Sequence, residues 1–356
     1  MLTLEWYGLR TAGVKDRIIR VLAEKFENYR DIFEIDRSFL LNRLNIDEEQ
    51  IGKIYDSIKI DSFKEVEKLK KQGIKIIFIK DREYPVELRN IAQPPVFLYC
   101  KGRVELLKKR KIGIIGTRKA TEYGKVICEK FAKELVKNSI ATVSGLALGI
   151  DGICHKITLE NGGDTIAVVG SGLDVIYPKS NEKIWKKIEK KGLIISEYPL
   201  GTPPSSYNFP LRNRIIAGIS RGILVVESCK RGGSLITAEL ALDEGRDVFA
   251  VPGDIFSSCS EGTNNLIKNS QAKLVTNVDD ILVEYGWNSS KSTVLKKLNL
   301  TEQEYKIYNV LVREKNLDEI IHKTSMKTGE ILSLLMEMEV KGIISSVPGG
   351  KYRRRI

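Results

Sequence analysis

Small residues, glycines and cations follow a series of short apolar runs in the middle of the chain. Gly116-Thr117-Arg118 follows the first of these runs, and Glu227–Ser234 follows a later one. Glycine lets a backbone approach an anion closely, and a helix N-terminus offers free N–H groups to it. A guanidinium beside such a turn can bind phosphate through paired hydrogen bonds. We therefore expect Arg118 to contact phosphate; a salt bridge to a carboxylate is the alternative.

Aromatic and cationic residues lie side by side in Tyr207–Arg214. Single-stranded nucleic acid binds such sequences, because bases stack on aromatic rings while cations meet the backbone. Core packing is the alternative for Phe209. Arg212 and Arg214 are two positions apart on a predicted helix and cannot share a face. We expect one to bind phosphate and the other to brace the fold.

Further cations stand in other loops of the same predicted edge. Lys179, Lys230 and Arg231 follow different apolar runs. Together they could extend a basic surface toward a polyanionic partner. For each residue taken alone, a solvated cation without a ligand is the interpretation that the sequence favours.

The motifs of several enzyme classes are absent from the sequence. It contains no G-x-G-x-x-G dinucleotide fingerprint and no G-x-x-x-x-G-K-[ST] phosphate loop. Five acidic residues lie near the predicted edge, but no spacing singles out a catalytic pair: Asp151, Asp174, Glu197, Glu227 and Glu239. The 5 cysteines and 2 histidines show no metal-ligand spacing. The sequence therefore predicts no catalytic residue, no metal site and no bound cofactor.

One enzyme motif is partly matched and leaves a second hypothesis open. Gly232-Gly233 and Glu239 keep the spacing of the P-G-G-x-G-T-x-x-E motif of phosphoribohydrolases that act on nucleoside monophosphates. Leu235 and Ile236 replace its Gly-Thr, and Arg231 replaces its proline. These changes remove the small residue that would let the backbone approach a phosphate. A phosphoribohydrolase-like enzyme is the alternative function.

Composition limits the class of protein. The chain has 356 residues and a net charge of +12, from 58 Lys and Arg against 46 Asp and Glu. That excess favours polyanionic partners, although a generally lysine-rich proteome would also produce it. The odd cysteine number indicates free thiols in a reducing compartment. No run approaches the ~20 apolar residues of a membrane helix, and the N-terminus lacks a signal-peptide core. We expect a cytoplasmic protein without membrane insertion.

The elements that must position these residues alternate regularly between strand and helix. Predicted strands are Ile112–Ile115, Ala141–Val143, Ile166–Val169, Leu193–Ile195, Ile223–Val226 and Val248–Val251, and helices such as Glu122–Lys137 separate them. Continuous apolar strands are buried on both faces, and strand–helix alternation is typical of a parallel, doubly wound sheet. Ligands bind such a sheet at the carboxyl ends of its strands. The predicted fold is α/β, with an extended Rossmann-like parallel sheet.

Two smaller domains are predicted to flank this sheet. Residues 1–60 are predicted to form a small helical domain of the SAM or helix-hairpin-helix type. Leu9–Val14 is only weakly similar to a helix-hairpin-helix turn, and a small helical docking domain is the favoured alternative. Residues 61–286 form the Rossmann-like domain, and the polar residues 287–298 a linker. In residues 299–356, three helices (Thr301–Glu314, Leu317–Thr324 and Thr328–Lys341) and a hairpin predict a winged helix.

Taken together, these sequences resemble the DNA-processing protein A family, also called DprA or Smf. The resemblance extends over about Lys111 to Leu282 and is carried in family order by Gly116-Thr117-Arg118, Ser144–Asp151, Tyr177-Pro178, Ser196–Pro199, Asn208–Gly218, Gly233–Ala238 and Val248–Gly253. The resemblance implies a non-enzymatic, dimeric protein that binds single-stranded DNA. It also implies that the protein protects incoming DNA, including DNA coated by single-strand-binding protein, and loads the recombinase RecA onto it in natural transformation or recombination.

The resemblance also implies roles for particular residues. The Gly-Ser/Thr-Arg motif of the family contacts phosphate, which assigns that role to Gly116, Thr117 and Arg118, and its Asn-Phe-Pro aromatic stacks a base, which corresponds to Phe209. Some members carry a basic residue just before this aromatic, where this chain has Ser205 and Ser206. The full predicted DNA-binding set is Gly116, Thr117, Arg118, Gly145, Lys179, Asn208, Phe209, Arg212, Asn213, Arg214, Lys230, Gly233 and Ser234.

The predicted third helix of the winged helix is acidic. It carries Glu330, Glu337 and Glu339 against Lys327 and Lys341, so only the tail Arg353-Arg354-Arg355 is strongly basic. We expect this domain to contact protein or to bind duplex DNA weakly. The same acidity argues against a transcription regulator, the third class of function that a winged helix would suggest.

Overall fold

A computed structural model describes residues 2–287 and 300–354 of the chain. It divides into two compact units, Met1–Ile281 and Leu282–Ile356. Each unit is described separately below. In the predicted linker, residues 288–298 lie outside the described residues, as do Arg355 and Ile356 of the basic tail.

The first unit is built on a nine-stranded sheet in the order β1-β2-β6-β5-β4-β3-β7-β8-β9. Its strands are β1 Ile74–Phe78, β2 Phe97–Gly102, β3 Lys111–Ile115, β4 Ala141–Ser144, β5 Thr165–Val168, β6 Leu193–Ser196, β7 Gly222–Val225, β8 Asp247–Ala250 and β9 Lys273–Leu274. Strands β3 to β9 pair in parallel. This confirms the predicted α/β fold with a Rossmann-like sheet.

The sheet is not parallel throughout. β1 pairs antiparallel with β2, and β2 pairs antiparallel with β6. The 18 residues between β1 and β2 include only the short helix Val86–Arg89, so they make no helical crossover of the kind that parallel neighbours require. The two strands therefore extend the parallel sheet at the edge formed by β6.

Thirteen helices belong to the described part of this unit. They are α1 Leu2–Thr11, α2 Asp16–Lys25, α3 Arg37–Asn42, α4 Glu48–Asp56, α5 Ser62–Lys71, α6 Val86–Arg89, α7 Glu122–Lys137, α8 Ile150–Glu160, α9 Glu182–Lys191, α10 Asn208–Ile219, α11 Gly233–Asp243, α12 Glu261–Lys268 and α13 Asp279–Glu284, the last of which crosses the boundary between the units. Helix α8 packs on both α7 and α9, and α10 packs on both α6 and α11. The central strands are buried along their whole length, as expected of a doubly wound sheet.

The order of the strands creates a switch point beside β3. From β3 the chain continues through β4, β5 and β6 on one side, and α10 then returns it to β7 on the other side of β3. The connections after β3 and β7 therefore diverge, which opens a crevice at the carboxyl ends of these strands. The candidate site lies in this crevice.

The N-terminal helices share a hydrophobic core with the antiparallel strands. The ring of Trp6 stacks on Phe78 with centroids 5.3 Å apart, and Tyr7 meets Phe97 edge-on at 5.5 Å. The turn from α1 to α2 contains Gly13 with φ +83°, a conformation that glycine adopts without strain. The helix-hairpin-helix-like character of residues 1–60 stays a prediction.

The second unit consists of three helices and a three-stranded sheet. Its helices are α14 Glu302–Val310, α15 Leu317–Thr324 and α16 Thr328–Val340, and its strands are β10 Lys315–Asn316, β11 Ile344–Val347 and β12 Lys351–Arg354. The helix predicted to reach Glu314 ends at Val310, because Lys315 and Asn316 pair with β12. This is the predicted winged helix. Within the described ranges, no helix is long and apolar enough to cross a membrane.

A buried polar network lies between α8 and the sheet. Thr142 Oγ1 lies 3.0 Å from Thr158 Oγ1 and 2.8 Å from Thr165 Oγ1, and His155 Nδ1 lies 2.7 Å from the same Thr165 oxygen. His155 is fully buried. Burial lowers the pKa of His155 to about 3, because its charged form would lose its hydration. The imidazole is therefore neutral in the folded protein at neutral pH.

This buried histidine predicts a loss of stability in mild acid. The unfolded chain binds the His155 proton below about pH 6.5, whereas the folded chain does so only near pH 3. The stability contributed by neutral His155 is present above pH 6.5 and decreases as pH falls toward 3. Between pH 6.5 and 5, the free energy of unfolding should decrease by about 2 kcal/mol more in the wild type than in His155→Gln. Urea denaturation at both pH values measures this difference, and equal decreases in the two proteins would contradict it.

Candidate nucleic-acid-binding site

A cavity of about 780 Å³ occupies the switch point. Its walls come from the loops after β3 and β7, from the start of α10 and from the N-terminal turn of α11. Eight of the predicted binding residues line it: Gly116, Thr117, Arg118, Phe209, Arg212, Asn213, Gly233 and Ser234. Gly145 lines a smaller adjoining cavity. The sheet thus brings together residues that are far apart in the sequence.

The loop after β3 is held in place by Glu227, the second residue after β7. Thr117 N donates to the Glu227 carbonyl oxygen (2.8 Å). The buried Glu227 carboxylate accepts from Thr121 N (3.0 Å) and from Thr121 Oγ1 (2.6 Å). A Cβ atom on Gly116 would lie 2.6 Å from the Ile150 side chain, so only glycine fits there. The backbone of this loop is therefore fixed before any ligand arrives.

Arg118 is an exposed cation of this loop, next to Lys119, which is also exposed and lines the cavity. Among residues 2–287 and 300–354, no carboxylate lies within ion-pair distance of its guanidinium, so the alternative of a salt bridge is not found there. Its guanidinium carbon lies 5.8 Å from the centroid of the Phe209 ring, within the range of a cation–π contact. The charge of Arg118 thus faces the cavity beside an aromatic ring.

Two stacked aromatic rings form part of the same wall. The rings of Phe209 and Tyr177 have centroids 5.5 Å apart and an interplanar angle of 24°. Phe209 is half-buried and Tyr177 is exposed. A Cβ atom on Gly170 would lie 3.1 Å from Phe209, so this glycine makes room for the ring. The predicted site omitted Tyr177, although Tyr177-Pro178 is one of the sequences that carry the family resemblance.

Arg212 lies beneath this wall and is buried. Its Nη1 donates to the carbonyl oxygen of Gly145 (2.7 Å) and to that of Val168, and its Nε donates to Asn213 Oδ1 (3.1 Å). Burial lowers the pKa of Arg212 to about 10, an effect that the nearby Asp151 opposes. Arg212 therefore remains charged at neutral pH and connects the carboxyl ends of β4 and β5.

Gly145 lies between Arg212 and the buried carboxylate of Asp151. Its N–H donates to Asp151 Oδ2 (3.2 Å), while its carbonyl oxygen accepts from Arg212. A Cβ atom here would lie 2.7 Å from Arg212 Nη2 and 2.8 Å from Asp151 Oδ2. Burial raises the pKa of Asp151, although Arg212 opposes this shift. Gly145 is thus a structural requirement of the site.

Arg214 points elsewhere and forms an ion pair with Glu197, and both side chains are about nine-tenths buried. Arg214 is not among the residues that line the cavity. The structure thus gives both arginines a bracing role, where the sequence led us to expect one brace and one phosphate ligand. DNA binding by either arginine stays a prediction.

The remaining predicted residues have diverse surroundings. Asn208 Nδ2 donates to the Gly170 carbonyl oxygen (3.1 Å), and buried Ser234 donates from Oγ to Ser228 Oγ (2.9 Å). Lys230 is exposed and pairs with Glu261 at 3.3 Å. Lys179 is exposed in the 3-10 turn Lys179–Asn181, and neither lysine lines the cavity. A DNA-binding role for these four residues stays a prediction.

The carboxylates are poorly placed for catalysis. Asp151 lines the cavity, but its Oδ2 accepts from the backbone N–H groups of Gly145 and Ala147. Glu239, the acidic residue of the partly matched hydrolase motif, is exposed on α11 and is not part of the cavity wall. Within the described ranges, no group of three or more His, Cys, Asp or Glu residues could hold a metal ion. The arrangement suits the binding of an anion with attached rings.

Comparison with known protein families gives two matches. A family model described as DNA recombination-mediator protein A matches residues 75–286, more than half of the chain. A model described as the DprA winged helix domain matches residues 300–350. DNA processing protein DprA of Streptococcus pneumoniae is 47% identical over 207 residues, which cover 58% of this chain and 73% of that protein.

Two of the solved structures to which this chain is similar are those of DprA proteins. The structure of DprA from Streptococcus pneumoniae has a TM-score of 0.70 and 38% identity, covering 80% of this chain and 98% of that chain. The second is the structure of DNA processing protein A from Helicobacter pylori, which was described for its single-stranded DNA binding mode. Its TM-score is 0.54 and its sequence identity is 32%. It covers 63% of this chain and 96% of that chain.

The contrast between buried Arg212 and exposed Arg118 predicts effects of very different size on stability. Arg212→Met should lower the free energy of unfolding by about 3 kcal/mol or more, since two strand-end carbonyls lose a charged donor and Asp151 loses its neighbouring cation. Arg118→Met should change it by less than about 0.5 kcal/mol, because this side chain is exposed. Urea denaturation of both variants tests this; similar effects would show that the two arginines do not differ in structural role.

Proposed function

This chain belongs to the DNA recombination-mediator protein A family, and on that basis we propose that it binds single-stranded DNA in the cavity between β3 and β7 and leaves the DNA chemically intact. One observation carries the proposal: the exposed guanidinium of Arg118 lies beside the stacked rings of Phe209 and Tyr177. A single strand offers the two complementary groups, a phosphate for the cation and a base for the rings. The Helicobacter pylori relative, whose solved structure concerns single-stranded DNA binding, supports the same ligand.

The phosphate contact rests on the loop after β3. Its backbone is fixed by Glu227, so a ligand gains contacts with little cost in chain ordering. Arg118 supplies a charged donor that has no carboxylate partner among the described residues. Gly233, at the start of α11, has open space where a side chain would be. A backbone phosphate can approach the N–H groups of that helix end.

The base contact rests on the aromatic pair. Because Tyr177 already covers one side of Phe209, a base can stack on the exposed Tyr177 ring or contact the remaining surface of Phe209. Stacking does not depend on the identity of the base. We therefore propose binding without strong sequence preference.

We further propose that the chain works as a mediator rather than as an enzyme. In this proposal it protects incoming DNA, including DNA coated by single-strand-binding protein, and loads RecA onto it in the cytoplasm as a homodimer. Its family membership supports this role. The winged helix would contact protein or bind duplex DNA weakly, since Glu330, Glu337 and Glu339 make α16 acidic. Hydrolysis of nucleoside monophosphates is disfavoured by the exposure of Glu239 outside the cavity.

The proposed phosphate contact predicts a change in salt dependence. Arg118→Ala should weaken binding of a labelled oligo-dT and should reduce the slope of log affinity against log salt by about 0.7, the value for one phosphate contact to a single strand. Fluorescence anisotropy across a salt series measures both effects. Arg82→Ala, an exposed arginine outside the cavity wall, is the matched control and should leave both unchanged. A folded Arg118→Ala protein with wild-type affinity and slope would reject this role.

The same preparation tests the enzymatic alternative. Incubation with AMP or CMP should release no free base, as measured by chromatography, while oligo-dT binds tightly and in a salt-sensitive manner. Base release without oligonucleotide binding would replace the proposal by the phosphoribohydrolase hypothesis. If base release occurred, Glu239→Gln would test whether the partly matched motif is responsible.

The proposed base contact predicts a loss of affinity when the ring is removed. Phe209→Ala should weaken oligo-dT binding by about 1–3 kcal/mol, the usual value of one stacked base. Isothermal titration measures this, and Phe63→Ala on α5, an exposed phenylalanine outside the cavity, serves as control. If Phe209→Ala lowered only thermal stability, Phe209 would be a packing residue instead.

A further inference from the structure

The loop after β8 presents two apolar side chains to solvent. Ile255 is 83% exposed and Phe256 is 90% exposed. Single exposed apolar residues are common on protein surfaces, but two neighbouring large ones at the tip of one loop form a contact surface. No role was predicted for either residue from the sequence.

The tip is held in a defined conformation. Asp254 Oδ1 accepts from Phe256 N (2.9 Å), and the Asp254 carbonyl oxygen accepts from Ser257 N (3.0 Å). At the base of the loop, the Asn264 side chain bonds to both backbone groups of Gly253, at 3.1 Å and 3.0 Å. A ligand that contacts Phe256 therefore pays little for ordering the loop.

The loop adjoins the proposed DNA site. Cys259 Sγ lies 3.8 Å from Cys229 Sγ, and Cys229 lines the cavity. Gly262 N donates to the Ser228 carbonyl oxygen (2.8 Å), which joins the start of α12 to the loop after β7. Strands β3, β7 and β8 are neighbours, spaced about 4.8 Å apart. A chain that leaves the cavity past the loop after β7 therefore reaches the loop after β8 next.

One cation on this path is available to a polyanion. Lys230 and Arg231 are both exposed in the loop after β7. Lys230 pairs with Glu261, whereas Arg231 has no ion pair within the described parts of the chain. Asp254 precedes the tip, and its Oδ1 accepts the backbone N–H of Phe256. Arg231 is therefore the cation that a strand can meet between the cavity and Phe256.

We propose that Phe256, flanked by Ile255, is a second base-stacking site for the same DNA strand. The inference rests on the proposed function and extends it: the cavity holds one part of the strand, Arg231 meets the backbone outside it, and an unpaired base stacks on Phe256. Cations between two aromatic positions are the arrangement that single-strand-binding surfaces use to follow a strand. The ligand is thus a stretch of several nucleotides rather than a single nucleotide.

The proposal is tested by measuring the affinity of the full chain for oligo-dT of increasing length. A reducing agent keeps Cys229 and Cys259 as thiols. Phe256→Ala should weaken binding of a long oligo-dT by roughly 5- to 160-fold, the effect of one stacked base. It should leave unchanged the binding of an oligo-dT too short to leave the cavity. Val126→Ala on α7, also an exposed apolar residue, is the control and should bind both lengths as the wild type does.

A spectroscopic variant reports the contact directly. Phe256→Trp should show quenching of its added tryptophan fluorescence with long oligo-dT, whereas Val126→Trp should not. If the wild type bound long oligo-dT while Phe256→Ala bound it equally well and Phe256→Trp showed no quenching, the second site would be rejected and the proposed function would stand. Absence of any oligo-dT binding by the wild type would reject the proposed function itself.

Self-association is the competing use of an exposed phenylalanine. Sedimentation velocity without DNA distinguishes it, since the proposal expects the same sedimentation coefficient for Phe256→Ala and the wild type. A shift toward a smaller species, with unchanged DNA affinity, would assign the tip to contact between two copies of the chain and would overturn the proposal.

Discussion

The buried guanidinium of Arg212 is the interaction on which the geometry of the site depends. It joins the carboxyl ends of β4 and β5 by donating to Gly145 and Val168, and it holds α10 against them. A charge in the interior is tolerated only when its donors are satisfied and an opposite charge is near. Backbone carbonyls supply the first condition and Asp151 supplies the second. Phe209 stands at the start of the same helix, so its place in the cavity wall follows from this anchor.

The same principle separates the cations of the site into two groups. Arg212 and Arg214 are buried and have protein partners, while Arg118 is exposed and has no carboxylate partner in the described ranges. Burial lowers the pKa of Arg212 and Asp151 raises it, while the positive charge of Arg118 lowers it further. Two like charges near one cavity are less favourable without an anion. A phosphate placed between the loop after β3 and α10 would relieve that repulsion, so the charges of these two arginines favour an anionic ligand.

Much of the central fold was predictable from sequence because parallel strands leave a strong signal. Continuous apolar runs located β3 to β8 to within about one residue, and the glycine-rich sequences after them located the cavity. The sequence also predicts a strand at Ile74–Ile79 and another after Pro94-Pro95, but not their antiparallel pairing, because an apolar run does not specify which neighbour it pairs with. The winged-helix prediction extended its first helix too far, because Lys315 and Asn316 form a strand only through tertiary pairing.

The burial and the protein partners of individual side chains are harder to predict from sequence, for a physical reason. Residue type shows that Arg212, Arg214 and Ser234 can bind phosphate, but burial and partner choice are decided by packing between distant segments. Ser234 uses its hydroxyl on Ser228, and Arg214 uses its charge on Glu197. Tyr177 was missed as a site residue because its stacking partner, Phe209, is distant in sequence. Conversely, the exposure of Arg118 agrees with its position in a loop at the edge of the sheet.

The packing of Trp6 on Phe78 and of Tyr7 on Phe97 has an evolutionary consequence. A gene that lost the codons for α1 to α4 would encode β1 and β2 with an apolar surface in water. A shortened protein would therefore need another cover for these two strands, or polar residues in place of their outward apolar side chains.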